Sequence, residues 1–380
     1  MKMTPKQNLI AVLSGGEPQW IPVCMHIANT NNLPGHLPQA LLEEPLDRLH
    51  ISEFVGGDIL HEVSAVRTKA NTGWDIKTEA RGDMRISTLT TTEGALTQEV
   101  MTAAVSTPVY DPLPEGHILP GPIMNSVHKA FFVKQLSDYR ILKCYYETLT
   151  YECDNNLIAR EQARVAEKGL CVLGGGPSSP LYALVSSHVG IERLSLDLFD
   201  DSEEVESTMQ VMTDTACRWY RTAAASPCEV IRCTEDLDTK LVSPDWFRRY
   251  AVPALTKYAR ICHAAGKKFV IHMCGPVRDF LQDIKATGAD AIHCLTAPPM
   301  GNTAIQEARR MLQGHMAVML RVDAHLLLSG SVGEIDCAVA NMCSELGDWN
   351  NVLAIIPCGR APLENIRRVI DQFRKQNHRR

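Results

Sequence analysis

The chain has 380 residues, 45% of them hydrophobic and 22% charged, with a formal net charge of −6. That length buries a sizeable core without staples, and it is long for one ordinary domain but normal for a barrel with additions. Lys and Arg are scattered except at the end Arg374–Arg380, and no apolar run approaches the ~20 residues of a membrane helix, so neither nucleic-acid binding nor membrane insertion is expected.

The opening MKMTPKQNLIAVLSGGEP is basic, then briefly apolar, and is broken by Pro5, Gly15, Gly16 and Pro18. No small-residue cleavage site follows, so it does not read as a signal peptide, and a cytoplasmic location is expected. A helix is predicted around Pro5–Leu13, then a short strand at Ile21–Met25 and a loop rich in Asn, Pro and Gly at Asn29–Pro38. Residues Gly73–Glu99 alternate polar and apolar around two turn signals, which predicts a three-stranded antiparallel meander.

From Leu136 onward, long amphipathic stretches alternate with short apolar ones. Helices are predicted at Ser137–Ala166, Ser202–Ala225, after Ser243-Pro244, and at Val277–Thr287, Thr303–Leu312, Val332–Leu346 and Leu363–Phe373. Strands are predicted at Leu170–Leu173, Glu229–Cys233, Lys268–Met273, Asp290–Leu295, Ala317–Val322 and Val352–Ile356. Ser243 with Pro244, and Gly266 downstream, are start and stop signals of one helix. Strand–helix alternation this regular means parallel strands joined by right-handed crossovers. With the strand at Ile21 and at least one more before Leu170, the expected architecture is α/β: an eight-stranded (β/α)8 TIM barrel. An open doubly wound sheet would show a Gly-rich turn after its first strand, and none is present. No repeat or linker marks a boundary. The chain therefore reads as a single barrel domain over 1–380, with 1–130 contributing helical and meander additions, the meander at about 73–100.

Thirteen cysteines form no compact disulfide framework. In contexts such as IPVC, LCVL and EIDCAVA they behave as small hydrophobes, which leaves the question of which bind metal. Reactive residues of a barrel sit at the C-terminal ends of its strands. Those ends read Thr234-Glu235-Asp236, His272-Met273-Cys274-Gly275, His293-Cys294, Arg321-Val322-Asp323 and Pro357-Cys358-Gly359. His272 and Cys274 are two apart, so they leave one strand on the same face. Cys358 ends another strand and can reach the same opening. One imidazole with two thiolates suits zinc better than Mg²⁺ or Ca²⁺, and three protein ligands leave a fourth position open, as in catalytic sites. Glu235 is the candidate for that place, with Asp236 beside it. H-x-C alone is a weak signal, and Cys24-Met25-His26 is a second such pair. His293, Cys294 and Cys233 are core residues or supports of the site; Arg321 and Asp323 are a substrate clamp or an ion pair; Met300 lines a small pocket or packs in the core.

The stretch TEDLDTKLVSPDWFRRYAVPALTKYARICHAAGKKFVIHMCG, with GGEPQWIPV, TTEGALTQ, HCLTAPPMGNT and PCGRAPLENIRRVI, resembles the uroporphyrinogen-decarboxylase superfamily over nearly the whole chain. The resemblance implies a (β/α)8 barrel and often a homodimer. Metal-free decarboxylases of that superfamily bind four propionates with an Arg-rich segment after the first strand and keep a histidine near the last. Here HIANTNNLPGH has no arginine, and Cys358 stands at the late position. H-x-C-G plus a distant strand-end Cys is similar to the zinc signature of the superfamily's corrinoid-dependent methyltransferases, which implies His272, Cys274 and Cys358 as ligands. TAPPMGN looks most like the O-demethylase branch of that group.

The resemblance implies a zinc-dependent transfer of a methyl group between a small methyl ether, amine or thiol and the cobalt of a corrinoid. Glu235 or Asp236 would act as displaceable ligand, general acid or substrate orienter, and Asp323, Arg321, His293 and Met300 would face the substrate. Asp323-Ala324-His325 begins the D-x-H-x-x-G pattern of a cobalamin domain, but Leu328 stands where Gly is required. The cobalamin is therefore expected on a separate corrinoid protein docking at the barrel mouth. Two other readings remain open at this stage: a metal-free carboxy-lyase, with Arg67, Arg81 and Arg321 as its only candidate carboxylate binders, and a non-catalytic metal- or corrinoid-binding module.

Overall fold

The computed structural model describes residues 2–27, 35, 37–41, 47–69, 73–104, 124–357 and 361–377. After a helix at Pro5–Leu13, which starts on a capping box between Thr4 and Gln7, the strands follow in chain order. They are β1 (Val23–Met25), β2 (Ile59–Val63), β3 (Val66–Thr68), β4 (Trp74–Arg81), β5 (Met84–Thr91), β6 (Gly94–Ala104), β7 (Met124–Ala130) and β8 (Tyr151–Cys153). The remaining six are β9 (Gly169–Gly176), β10 (Val230–Thr234), β11 (Lys268–His272), β12 (Ala291–Leu295), β13 (Ala317–Arg321) and β14 (Val352–Ile356).

Eight of these form one parallel sheet in the order β1-β14-β13-β12-β11-β10-β9-β2. The sheet curls until its two edge strands meet, with a parallel bridge between Cys24 and Asp58. The result is the expected (β/α)8 barrel. The seam rests on one residue: Asp58 N donates to Val23 O at 2.8 Å, while its carboxylate accepts from Val23 N at 2.9 Å and from Trp20 Nε1 at 3.1 Å. Helices pack outside. The lumen has a second apolar cluster that includes Leu170, Val172, Val230, Val270, Ala291, Met319 and Ile355. Leu9, Val12 and Leu13 of the N-terminal helix join that cluster and close the barrel at the end where the strands begin.

The helix start at Ser243 and Pro244 is as expected, with the Ser243 hydroxyl accepting from Trp246 N, and Gly266 adopts φ +70° past the helix end. Two expectations need correction. The stretch Ser137–Ala166 is not one helix. Helices Tyr139–Thr148 and Asn155–Val165 are separated by β8, which pairs antiparallel with β3, and Asp154 caps the second helix by accepting from Leu157 N. The run Leu149-Thr150-Tyr151 favours extended backbone, and β3 offers it a free edge. The meander has four strands, β4-β5-β6-β7, because β7, well downstream in the sequence, pairs antiparallel with β6. Helices at Pro180–Ala183, Leu184–His188 and Ile191–Asp200 were not anticipated. Among the described residues no helix is long and apolar enough to cross a membrane.

Asp58→Ala leaves the buried Val23 N–H and the half-buried Trp20 indole N–H at the barrel seam without their acceptor and should destabilise the fold by about 2–3 kcal/mol. Asp75→Ala, on β4 with a side chain 61% exposed, should change it by less than about 0.5 kcal/mol. Urea denaturation of the two variants checks this, and equal midpoints would show that the seam does not depend on Asp58.

Candidate metal centre

Alternation along a strand sends every second side chain into the lumen. Towards the C-terminal ends these inward residues change from apolar to polar. Val230 is followed by Arg232, Val270 by His272, Ala291 by His293, and Leu60 by Glu62. Arg232 pairs with Glu62 across β9. Gly174 of β9 makes that contact possible, since a Cβ there would lie 1.9 Å from Glu62 Oε1. His26, just past β1, adds a third imidazole: its ring centroid lies 4.8 Å from that of His293, edge-on, and 5.9 Å from that of His272, stacked. His272 and His293 occupy matched register positions on neighbouring strands, and their Nδ1 atoms are 2.5 Å apart. All three rings are held neutral. Burial, then the nearby Arg232 and neighbouring charges, lowers His26 to about 3. Burial, then Arg232 and Arg321, lowers His272 to about 4 against the opposing Asp236. His293 is pushed well below the usual range by burial first.

One step above this layer, the chain leaves β10 in a sharp turn in which the backbone N–H groups of Glu235 and Asp236 both donate to His272 O, at 2.9 and 3.1 Å. The turn sends the two carboxylates in different directions. Asp236 Oδ1 accepts from Cys274 Sγ at 3.0 Å and Cys274 N at 3.2 Å, and lies 3.8 Å from His272 Nε2. Gly275 follows the thiol with φ +79°, the tight exit expected after H-x-C. Asp236, His272 and Cys274 each offer a ligand atom within 4.8 Å of the others. Among the described residues they are the only three His, Cys, Asp or Glu side chains grouped this closely. Burial, then Asp236, drives the Cys274 thiol upward.

Glu235, expected as fourth ligand, is placed elsewhere. Its fully buried carboxylate accepts from Ser179 N at 2.6 Å and Ser179 Oγ at 2.5 Å; Asp236 stands where Glu235 was expected. Cys358 lies outside the described residues. Of the proposed substrate-facing residues, His293 joins the imidazole cluster. Asp323 caps the helix Ala324–Ser329 by accepting from His325 N and Leu326 N, so no ion pair with Arg321 forms. Arg321 has a buried Nε without a hydrogen-bond partner among the described residues. It borders a cavity with Met300, Asp323 and Thr296, and none of Asp236, His272 and Cys274 lines it. Cys233 and Cys294 are buried. Arg67 and Arg81 are 63% and 70% exposed and pair with Asp154 and Glu79 at the surface.

Sequence reasoning missed Ser179 and Tyr182. Ser179 follows the GGGP turn and caps the helix Pro180–Ala183 by accepting from Tyr182 N; the signal available was Ser before Pro, an N-cap pattern. The Tyr182 phenol is pushed up to about 12 by burial, then Asp236, Glu235 and Cys274. It borders a cavity with Tyr145, Tyr146 and Tyr151.

Burial raises the Glu235 carboxyl from 4.5 to about 8, with a smaller contribution from Asp236 and against the lowering by Ser179. The folded state therefore keeps a proton that the unfolded chain has lost. Stability contributed by that proton is fully present below the ordinary carboxyl pKa, falls as pH rises, and levels off above about 8. In chelator-treated protein, Glu235→Gln should remove this slope between pH ~5 and ~8. Denaturation midpoints across that range check it, and parallel wild-type and variant profiles would contradict it.

The family model for uroporphyrinogen decarboxylase (URO-D) matches residues 124–376. Among solved structures, a methyltransferase from Methanosarcina mazei aligns over 99% of both chains with a TM-score of 0.62 and 13% identity, a likeness of fold. A D-psicose 3-epimerase follows at TM-score 0.34 and 9% identity, covering 62% of this chain and 86% of that one. A type I 3-dehydroquinate dehydratase from Clostridium difficile gives TM-score 0.31 and 8% identity, covering 58% of this chain and 76% of that one. These two are too distant to carry an argument. No curated protein matches the sequence. The matched segment spans about two thirds of the chain and holds the six barrel strands β9–β14 with both H-x-C donors, and on that match the chain belongs to the uroporphyrinogen decarboxylase (URO-D) family.

Proposed function

We propose that this protein is a zinc-dependent methyltransferase that exchanges a methyl group between a small methylated substrate and the cobalt of a separate corrinoid protein. The observation that carries the proposal is the convergence of His272 Nε2, Cys274 Sγ and a carboxylate oxygen of Asp236 at the C-terminal mouth of the barrel. The donor set fits zinc. A tetrahedral site with bonds of ~2.0–2.3 Å holds its ligand atoms roughly 3.3–3.8 Å apart, and here Asp236 Oδ1 lies 3.0 Å from Cys274 Sγ and 3.8 Å from His272 Nε2, with all three donors within 4.8 Å of one another. The whole-length likeness of fold to a methyltransferase is consistent with this reading.

His272 and Cys274 would hold the ion with Cys358, as the H-x-C-G signature implies, and Asp236 would be the displaceable fourth donor. Bound zinc would supply Lewis acidity towards the heteroatom that carries the methyl group, or lower the pKa of a thiol acceptor. The chain's own residues contribute binding and proton control. Asp236, 35% exposed, can leave the donor position and turn to solvent as substrate enters. It can also take the proton that Cys274 gives up. Glu235, protonated at neutral pH, fixes Ser179 and so the loop carrying Tyr182. In the layer beneath, the imidazoles are neutral and Glu62 balances Arg232.

A carboxylate-binding decarboxylase would need arginines facing the mouth. Two of its three candidates, Arg67 and Arg81, lie at the surface; the third, Arg321, borders a cavity that none of Asp236, His272 and Cys274 lines, and Arg232 is neutralised by Glu62. A structural metal in a non-catalytic module would be sealed by four fixed ligands, whereas Asp236 here is solvent-accessible.

Purified protein should carry about one zinc per chain, lost in Cys274→Ser and Cys358→Ser and weakened about tenfold in Asp236→Asn. Elemental analysis and chelator competition measure this, and equal zinc in wild type and both serine variants would sink the assignment. Mixed with cob(I)alamin and a panel of methyl ethers, amines and thiols, the wild type should produce the methylcobalamin spectrum and Cys274→Ser should not. Zinc-replete protein inactive with the whole panel, in both directions of transfer, would end the methyltransferase reading.

A further inference from the structure

A histidine offers a metal only the ring nitrogen that carries no proton, and the bond made by the other nitrogen decides which one that is. This inference rests on the metal-centre reading and concerns how its imidazole donor is prepared. In His272 the Nε2 edge faces Asp236, at 3.8 Å from Oδ1. Its Nδ1 edge faces His293, with Nδ1 2.5 Å from Nδ1. The register of β11 with β12 sets the two rings side by side. His293 is 2% exposed and has His26 packed edge-on against it, so it has little room to turn away.

One proton fits on the line between two Nδ1 atoms. If His293 carries it, His272 accepts there and holds its own proton on Nε2, the edge facing Asp236 and Cys274, and is lost as a ligand. If His272 carries it, His293 accepts and the Nε2 lone pair points into the donor group. We propose that His293 is a positioning residue: it accepts the His272 Nδ1 proton and so commits His272 to ligation through Nε2. Metal-bound histidines usually donate to a carboxylate, a backbone carbonyl or water. An imidazole acceptor differs in being neutral and in accepting through Nδ1 in only one of its own tautomers, with its proton on Nε2. It therefore orients the ligand without adding negative charge next to the metal, so the charge at the centre comes from the thiolates and Asp236.

The test has a metal-free and a metal-bound arm. In chelator-treated protein labelled with 15N-histidine, NMR should find His272 as the Nδ1–H tautomer, and His293→Leu should shift it towards Nε2–H. Zinc affinity of His293→Leu, measured against a chromophoric chelator, should fall on the order of 10–100-fold, and the Co²⁺-substituted spectrum should change in its ligand-field bands. His293→Asn, which keeps an acceptor oxygen near the Nδ1 position, should restore most of both. Thermal melts of the metal-free variants separate folding defects from donor effects, and His293→Phe serves the same comparison should the leucine variant not fold. Unchanged tautomer and affinity in His293→Leu, or an asparagine variant as impaired as the leucine one, would overturn the inference. Wild type with His272 as Nε2–H would overturn it even if zinc binds. Wild type with the Nδ1–H tautomer but no zinc would instead overturn the metal reading and leave the hydrogen-bond assignment standing.

Discussion

In a closed barrel of parallel strands every second side chain must enter the lumen, where a polar group needs a partner. The arrangement of the site depends on that constraint. The same alternation that sends Val230, Val270 and Ala291 into an apolar plug sends Arg232, His272 and His293 into the layer above it. A slip of one residue in β11 would turn both His272 and Cys274 towards the helices and bring Ile271 and Met273 inward. The polar layer survives burial because its members answer one another. Arg232 meets Glu62, Gly174 leaves the space for that contact, and the imidazoles stay uncharged rather than adding cations beside two arginines. The seam at Asp58 matters for the same reason: it closes the wall carrying His26 against the wall carrying Glu62.

Strand–helix alternation was legible because each barrel strand is a short apolar run bounded by turn signals, and its period separates cleanly from that of the helices. Val332–Leu346 and Val352–Ile356 stand in the structure at the limits expected. The break inside Ser137–Ala166 was not legible, since a three-residue strand carries too little pattern to show against two amphipathic helices, and its stability comes from β3, far away in sequence. β2 was equally hidden, as Ile59–Val63 contains His61 and Glu62, whose polarity reflects a hydrogen bond with Glu161 and an ion pair with Arg232. Local sequence does not report such partners.

At the site, the sequence pointed to the right strand ends but not to the direction each side chain takes after its strand stops. Glu235 and Asp236 are adjacent acids with the same composition signal. What separates them is a backbone turn anchored on His272 O, which buries one against Ser179 and aims the other at Cys274. The same limit applies to Arg321 and Asp323, which two-residue spacing suggested as a pair; the helix starting at Ala324 claims the carboxylate as its cap. His26 stood in the sequence as half of a weak H-x-C-type pair with Cys24. Its place beside His272 and His293 comes from the lumen that all three rings share, since β1 pairs with β14, far away in sequence, in the closed barrel.

The electrostatics of the mouth also bear on what it binds. Burial raises the Cys274 thiol and lowers all three imidazoles, so near neutrality the cluster presents lone pairs, one S–H bond and a carboxylate receiving that proton. Such a set is poorly matched to an anion, which would need protonated imidazoles pointing at it. It is well matched to a divalent cation, which takes the place of the thiol proton, stabilises the thiolate that burial otherwise disfavours, and releases a proton as it binds. The groups that raise the thiol's pKa in the metal-free chain are thus the ones a cation reverses. The features that leave Cys274 unreactive without a metal are the same features that favour holding one.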